Sequence, residues 1–298
     1  MNLENSLQDI QQNNMIKLGN LNLQKRTCLR NDGYQGDLDN SIQLYVVVNR
    51  KCNAQCEFCT FRGDVEEVDI HKFKDTLEKI YKYYNISTLH LTGGEPTLDI
   101  NKVEQICNTA KTVDKCIKTS VNTNGIHLNE LDNIKNLNNV ALSRHGITDD
   151  ENYEIFKTNS VANTEQIKAF TKSKLHLSCN LIQGHVDSEE KIYQYLEMCS
   201  TLGVFDVGFV GLMNVNEYCK TRYIEFPNLS KCTFTKGYKN IETGECTCEC
   251  RNWLYRAENQ HLISIYHRHA VKSTNITSYL VYENNRLRAG FNGEQVEV

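Results

Sequence analysis

Six apolar, strand-like runs recur along this chain at helix-length intervals, and that alternation restricts the folds open to it more than any other feature. The runs are QLYVVVN (43–49), TLHLT (88–92), CIKTSVN (116–122), NVALS (139–143), KLHLSCNLI (174–182) and DVGFVGLM (206–213). After the first run comes IHKFKDTLEKIYKYY, where Ile70, Phe73, Leu77, Ile80, Tyr81 and Tyr84 repeat at helical spacing and predict one apolar face. Segments 100–113 and 188–202 also have helix length. Strands joined by right-handed helical crossovers build a parallel sheet, which can curl into a full or partial barrel. The predicted fold class is α/β: a partial (β/α)6 TIM-like barrel with a small C-terminal, cysteine-rich α+β extension. The expected divisions are a polar N-terminal extension at 1–42, the barrel at 43–215 and the extension at 216–298. In such a sheet the loops after the strands open on one face, where chemistry gathers.

A chain of 298 residues with 40% hydrophobic content can bury a substantial core. Lys+Arg 33 against Asp+Glu 37 gives a net charge of -4, so no global basic field draws it to nucleic acid or to an anionic membrane. Neither partner is expected. No apolar run approaches the ~18 residues of a membrane-spanning helix, and the first residues lack the basic and apolar regions of a secretory signal. A cytoplasmic location follows as an expectation. In that reducing setting 13 clustered cysteines point to metal binding rather than to a disulfide framework.

The first cluster is RKCNAQCEFCTFRG, directly after the first strand run, with Cys52, Cys56 and Cys59 spaced C-x3-C-x2-C. Three thiols cannot by themselves close a four-coordinate metal site. The loop after the second run is LTGGEPTLD: Gly93 and Gly94 remove side chains where backbone must come close, Glu95 offers a carboxylate, and Pro96 fixes φ. The third run leads into VNTNG (121–125). Each has a plainer reading. A distant Cys or His could complete a structural zinc site at the triplet, GGEP could be a turn into a helix, and VNTNG a strand ending in an Asn-Gly turn.

Taken together, the cysteine triplet, GGEP and VNTNG, in that order after successive strands, resemble the radical S-adenosylmethionine (SAM) superfamily over roughly residues 43–213. The resemblance implies a 4Fe-4S cluster held by Cys52, Cys56 and Cys59, with one iron left open for the amino and carboxylate groups of SAM. It implies reductive cleavage of SAM to a 5'-deoxyadenosyl radical that takes a hydrogen atom from substrate, fed by a flavodoxin- or ferredoxin-type electron donor. Gly93, Gly94 and Glu95 are then expected against the methionine amino group, and Asn122, Asn124 and Gly125 near the cofactor. Ser143 falls where the family often contacts the ribose, and Arg144 is the alternative partner for a cofactor carboxylate. No residue is singled out as the catalytic hydrogen donor.

A second cluster, LSKCTFTKGYKNIETGECTCECRNWLYR, supplies Cys232, Cys246, Cys248 and Cys250, enough thiols to close a metal site or a whole cubane. It resembles the auxiliary-cluster extensions of the superfamily, the shorter twitch type more than the seven-cysteine SPASM type. The CxCxC spacing belongs to neither, so zinc stays open as the metal and Cys219 as a substitute for Cys232. Cys28, Cys107, Cys116, Cys179 and Cys199 read as core residues. The C-terminal stretch 260–298 reads as short antiparallel strands with a turn at Asn284 and Asn285, and His267 and His269 flank Arg268 on one of them.

The substrate expected on this reading is a small metabolite or a peptide side chain, with Cys179, Arg222 and Tyr223 as pocket candidates. The 42 residues before the first strand are fewer than an embedded leader-binding domain needs, so ribosomal-peptide maturation ranks second. The rival from another class is a non-catalytic iron-sulfur or zinc scaffold, or an electron carrier. An open fourth position beside GGEP argues against it, since a carrier has no use for a cofactor-amine pocket.

Overall fold

A computed structural model of the protein describes residues 15–18, 21–24, 41–82, 84–170, 174–237, 251–268, 279–291 and 293–296. Cys28, Cys246, Cys248, Cys250 and His269 lie outside the described residues. Strands β1 (Met15–Leu18) and β2 (Leu21–Gln24) form a separate antiparallel pair. The main sheet begins with β3 (Ser41–Asn49), β4 (Asn85–Gly93), β5 (Lys118–Thr123), β6 (Asn139–Ser143), β7 (Lys174–Leu181) and β8 (Asp206–Gly211), paired parallel in chain order. Its helices are α1 (Ile70–Tyr81), α2 (Ile100–Val113), α3 (Leu128–Leu131), α4 (Asp149–Phe156), α5 (Thr164–Ala169), α6 (Glu189–Thr201) and α7 (Glu217–Thr221). All six predicted strands are present, with small shifts at their ends.

The helices start where the sequence supplies a cap. Asp69 accepts from the amides of His71 and Lys72 at the start of α1, and Ser188 accepts from Lys191 at the start of α6. Thr148 and Glu151 form a reciprocal capping box on α4. The apolar stripe of α1 buries Phe73, Leu77 and Ile80. Tyr84 lies beyond that helix, which ends at Tyr81.

Alternation along the strands then sorts the two faces of the sheet. Leu44, Val46 and Val48 of β3, Leu89 and Leu91 of β4, Val121 of β5, Val140 and Leu142 of β6, Leu177 and Leu181 of β7, and Val207 and Phe209 of β8 join the helices in one core. The intervening residues, including Ser120, Asn122, Ser143, His176, Ser178 and Asn180, face the other way.

The C-terminal strands are β9 (Cys232–Gly237), β10 (Arg251–Arg256), β11 (Leu262–Arg268), β12 (Tyr279–Glu283), β13 (Arg286–Arg288) and β14 (Gln295–Val296). They depart from a single antiparallel appendage. β11 pairs parallel with β8 and carries β10 and β9 outward, whereas β12 pairs parallel with β3 and carries β13 and β14. The result, among the described residues, is one open sheet of 12 strands, ordered β14-β13-β12-β3-β4-β5-β6-β7-β8-β11-β10-β9, not closed into a barrel. The antiparallel expectation holds for the local hairpins and fails at the two joints, where the edges of the parallel sheet offer unpaired backbone to strands running its own way.

Among the cysteines read as core, Cys107, Cys179 and Cys199 are buried and Cys116 is exposed, because it sits in the turn before β5 rather than in the strand. No described helix is long and apolar enough to cross a membrane.

Candidate active site

The loop from Arg50 to Asp69 leaves the C-terminal end of β3 and carries all three cysteines of the first cluster. It is stitched to the GGEP loop by backbone: the Gly94 amide donates to Asn49 O at 2.8 Å and the Glu95 amide to Lys51 O at 2.7 Å. Asn49 Nδ2 returns a bond to Glu95 O at 3.0 Å. This approach is possible only without side chains at 93 and 94. A Cβ on Gly94 would stand 2.2 Å from Lys51 O, and one on Gly93, where φ is +151°, would stand 2.0 Å from Asn49 O.

The other flank of the cysteine loop rests on α4 and the turn behind it. Ala54 and Cys56 pack with Phe156 and Val161, joined by Phe58, Cys59 and Tyr153. The Gln55 amide donates to Phe156 O at 2.9 Å. His145, on the loop after β6, stacks on Phe156 at 5.0 Å between ring centroids and meets Phe58 edge-on at 5.1 Å. Its Nδ1 accepts from the Asn180 amide at 3.0 Å, and burial, with the nearby His185 second, pushes its pKa down to about 3. His145 is therefore a neutral wedge between the β6, β7 and cysteine loops.

Backbone amides point at two of the sulfurs: Ala54 N at Cys52 Sγ and Phe61 N at Cys59 Sγ, both at 3.4 Å. Burial raises the pKa of Cys56 to about 12, and the neighbouring thiols at 59 and 52 add to the effect. Burial likewise raises Cys52. Three neighbouring thiols, two of them with amides aimed at their sulfurs, suit a cationic iron-sulfur core, which favours their ionised form and uses the sulfurs as ligands. Among the described residues, no three His, Cys, Asp or Glu side chains converge tightly enough to hold a single metal ion. Asn49 Oδ1 is buried with no described donor, an acceptor left open at the foot of the loop.

Glu95 is 1% exposed. One of its carboxylate oxygens accepts from Thr97 N at 3.0 Å, Thr97 Oγ1 at 2.6 Å and Thr123 Oγ1 at 2.7 Å; the other accepts from Asn124 N at 2.7 Å. Burial raises its pKa against the pull of these donors. The carboxylate thus ties the GGEP loop to the VNTNG loop, a task additional to the cofactor contact expected of it. Asn124 extends the tie, donating through Nδ2 to Asn53 Oδ1 of the cysteine loop at 2.8 Å. Glu95→Ala would strand the buried Thr97 and Asn124 amides, each costing about 1–3 kcal/mol. The expected result is a lower denaturation midpoint of the iron-free protein, read by circular dichroism in urea; an unchanged midpoint would leave only the cofactor contact as its role.

Asn122 and Ser143 are half-buried on the face away from the helices, toward the same mouth. Arg144 is not a free cation there. It is 1% exposed, with Nη1 on Asp149 Oδ1 at 2.8 Å and Nη2 on Ile147 O at 3.2 Å. Asp149 also accepts from the Thr164 amide and hydroxyl. Burial opposes the Asp149 charge, but Arg144 and Thr164 together hold its carboxyl below the usual range. The arginine serves the β6–α4 turn, because a buried guanidinium is held by the nearest carboxylate.

Of the pocket candidates, Cys179 is fully buried on the helix side of β7, and Arg222 is an exposed side chain with Nη1 3.4 Å from Gln183 O. Cys219 lies against the cysteine loop, its Sγ 3.5 Å from Phe58 O, whereas Cys232 sits on β9 opposite Tyr255. His267 is buried and stacks on Phe226 at 4.0 Å between centroids. Asn53, Thr97, Thr123 and His145 were not singled out by sequence. Their only signal is their place at or just after strand ends, since each has a partner 26 or more residues away that local sequence does not reveal.

An open α/β sheet in which β3 ends in a C-x3-C-x2-C loop clasped to the GGEP loop after β4 is the arrangement that the fold and the site define together. The chain belongs to the Radical SAM superfamily, whose family model matches residues 46–199. Membership implies a 4Fe-4S cluster and SAM as cofactors. The protein described as "Probable GTP 3',8-cyclase" from Saccharolobus islandicus (strain Y.N.15.51 / Yellowstone #2) is 26% identical over 176 residues, 57% of this chain and 56% of that one. Its counterpart from Saccharolobus solfataricus is 25% identical over the same shares. This chain thus spans little more than half the length of the curated relatives it matches. Among solved structures, Streptococcus suis SuiB bound to S-adenosylmethionine superimposes with a TM-score of 0.51 at 18% identity, over 63% of this chain and 44% of that one. That likeness is one of fold.

Proposed function

We propose that this protein is a radical SAM enzyme that cleaves SAM reductively and removes a hydrogen atom from a small, polar metabolite. The observation that carries the reading is the clasp between the cysteine triplet and GGEP: two backbone bonds, possible only at glycine-bare positions, set a three-thiol loop beside a loop of close-lying backbone. When bound, the cluster and SAM together supply a 5'-deoxyadenosyl radical. The chain's own residues do the rest. Cys52, Cys56 and Cys59 would hold the cluster as its three protein ligands, one fewer than a cubane takes. Gly93 and Gly94 present backbone to the methionine end, and Glu95 holds that loop in register with Asn124. Asn122 and Ser143 line the adjacent wall.

The polar face of the sheet, with Ser120, Asn122, Ser143, Ser178 and Asn180, suits a substrate with several hydrogen-bonding groups. The name of the Saccharolobus relatives makes GTP the first candidate to try. A peptide side chain is the second substrate class. We further propose that residues 43–215 form the catalytic unit, that Cys232, Cys246, Cys248 and Cys250 carry a second cluster or zinc, and that a flavodoxin- or ferredoxin-type donor in the cytoplasm supplies electrons.

The test is anaerobic incubation of reconstituted protein with dithionite and SAM. Formation of 5'-deoxyadenosine is expected, and its rate should rise with the true substrate, GTP and candidate peptides being tried in parallel. A protein that holds its cluster, binds SAM and yields no 5'-deoxyadenosine would leave the scaffold or carrier reading standing instead.

A further inference from the structure

The hairpin β12–β13 grips the cysteine loop at both ends. At the start of the loop, Arg50 Nε and Nη2 reach Glu283 Oε1 at 2.8 and 2.5 Å. Glu283 is 2% exposed, and its other oxygen accepts from Arg288 Nη1 at 3.2 Å. The Arg50 guanidinium also lies 4.4 Å over the Phe61 ring. Phe61 in turn meets Phe291, from the tail behind β13, at 5.5 Å between centroids. At the far end, the turn residues Asn284 and Asn285 have φ of 53° and 55°, the pair of left-handed residues of a tight hairpin turn. Their side chains serve the loop as well. Asn284 Oδ1 accepts from Glu66 N at 2.9 Å, and Asn285 Oδ1 from Asp69 N at 2.8 Å, while Asn285 Nδ2 donates to Glu67 O at 3.1 Å.

We propose that this C-terminal hairpin positions the cluster-bearing loop, and that Glu283 is a positioning residue that sets the charge beside it. The inference rests on the reading of Cys52, Cys56 and Cys59 as cluster ligands. The geometry follows from the sheet. β12 runs parallel to β3 with Tyr282 opposite Val46, so Glu283 comes level with Val47, near the end of the strand from which Arg50 departs. The buried carboxylate between two guanidiniums leaves one net positive charge on this trio, at the root of the loop that carries Cys52 and in addition to the charge of Arg62, which bears on Cys52 and Cys56. Removing the carboxylate leaves two, and added positive charge favours the reduced, more negative cluster. The hairpin thus fixes both where the loop lies and how readily its cluster takes an electron.

Three variants separate these effects. Asn284→Gly/Asn285→Gly keeps the left-handed turn, which glycine adopts freely, and deletes the side-chain grip. On the iron-free protein, hydrogen exchange at the Glu66 and Asp69 amides is expected to run about tenfold faster in this variant, as lost hydrogen bonds require, with the core amides of β4 unchanged. Glu283→Gln should move the midpoint potential of the reconstituted cluster upward, and Arg288→Gln should move it downward. A merely structural role would not give shifts of opposite sign. Unchanged exchange at both amides, or potentials that do not move in opposite directions, overturns the proposal. If the parent takes up no iron at the triplet, the cluster reading fails, while the exchange measurement still decides whether the hairpin holds the loop.

Discussion

Reconstituted protein in which Cys52, Cys56 and Cys59 are all changed to alanine should retain about half the parent's iron and form no 5'-deoxyadenosine from SAM. The parent is expected to bind on the order of eight irons, four for each of two cubanes held by thiolates. The triplet's share is expected to go because all three proposed ligands of that cluster sit within the 50–69 loop, which is held by backbone bonds to Gly94, Glu95 and Phe156. Iron and sulfide assays with SAM turnover on the same sample check it. A triple variant that keeps all its iron would show that the thiols at 52, 56 and 59 do not ligate it.

The second large effect is the reverse separation. With Cys246, Cys248 and Cys250 changed to alanine, SAM cleavage by dithionite-reduced protein should persist while conversion of substrate fails. The proposed second thiol set supplies four ligands, enough to saturate a metal, so it would have no open position for SAM. Its nearest described member supports a separate place: Cys232 lies on β9 at the outer edge of the sheet, at the opposite end of the strand order from the β12 hairpin that holds the cysteine loop. A closed metal site in a small extension also contributes to that extension's folding, so circular dichroism and elution volume must match the parent before activity is read. A well-folded variant that binds SAM and makes no 5'-deoxyadenosine would place the CxCxC thiols in the cleavage step itself.

The amino-acid sequence by itself determined the alternation and the order of the loops. Apolar β-branched runs such as QLYVVVN and NVALS can be read directly because a strand buried by helices repeats its apolar residues over a short span, and β3 and β6 form there. The same holds for α1, whose apolar stripe and Asp69 cap are local properties of consecutive residues. The turn at Asn284 and Asn285 was legible for that reason too, since few residues accept two successive left-handed conformations. The cysteine spacing and GGEP pointed to the superfamily in the same local way.

What only the tertiary structure decided is which distant groups meet. Glu95 reads as an available carboxylate, yet folding brings Thr123 and Asn124, 28 and 29 residues on, to fill its oxygens. Arg144 reads as a cation at the barrel mouth, and burial pairs it with Asp149 instead. The C-terminal strands look like one appendage, but β11 joins β8 while β12 joins β3, and that second joint sets Glu283 against Arg50 across 233 residues of sequence. Nothing local distinguishes Glu283 from any other glutamate at a hairpin turn. Its role comes from an unpaired sheet edge, whose free backbone groups accept whichever strand the chain can deliver there in parallel, and which sets that strand's end beside the cysteine loop.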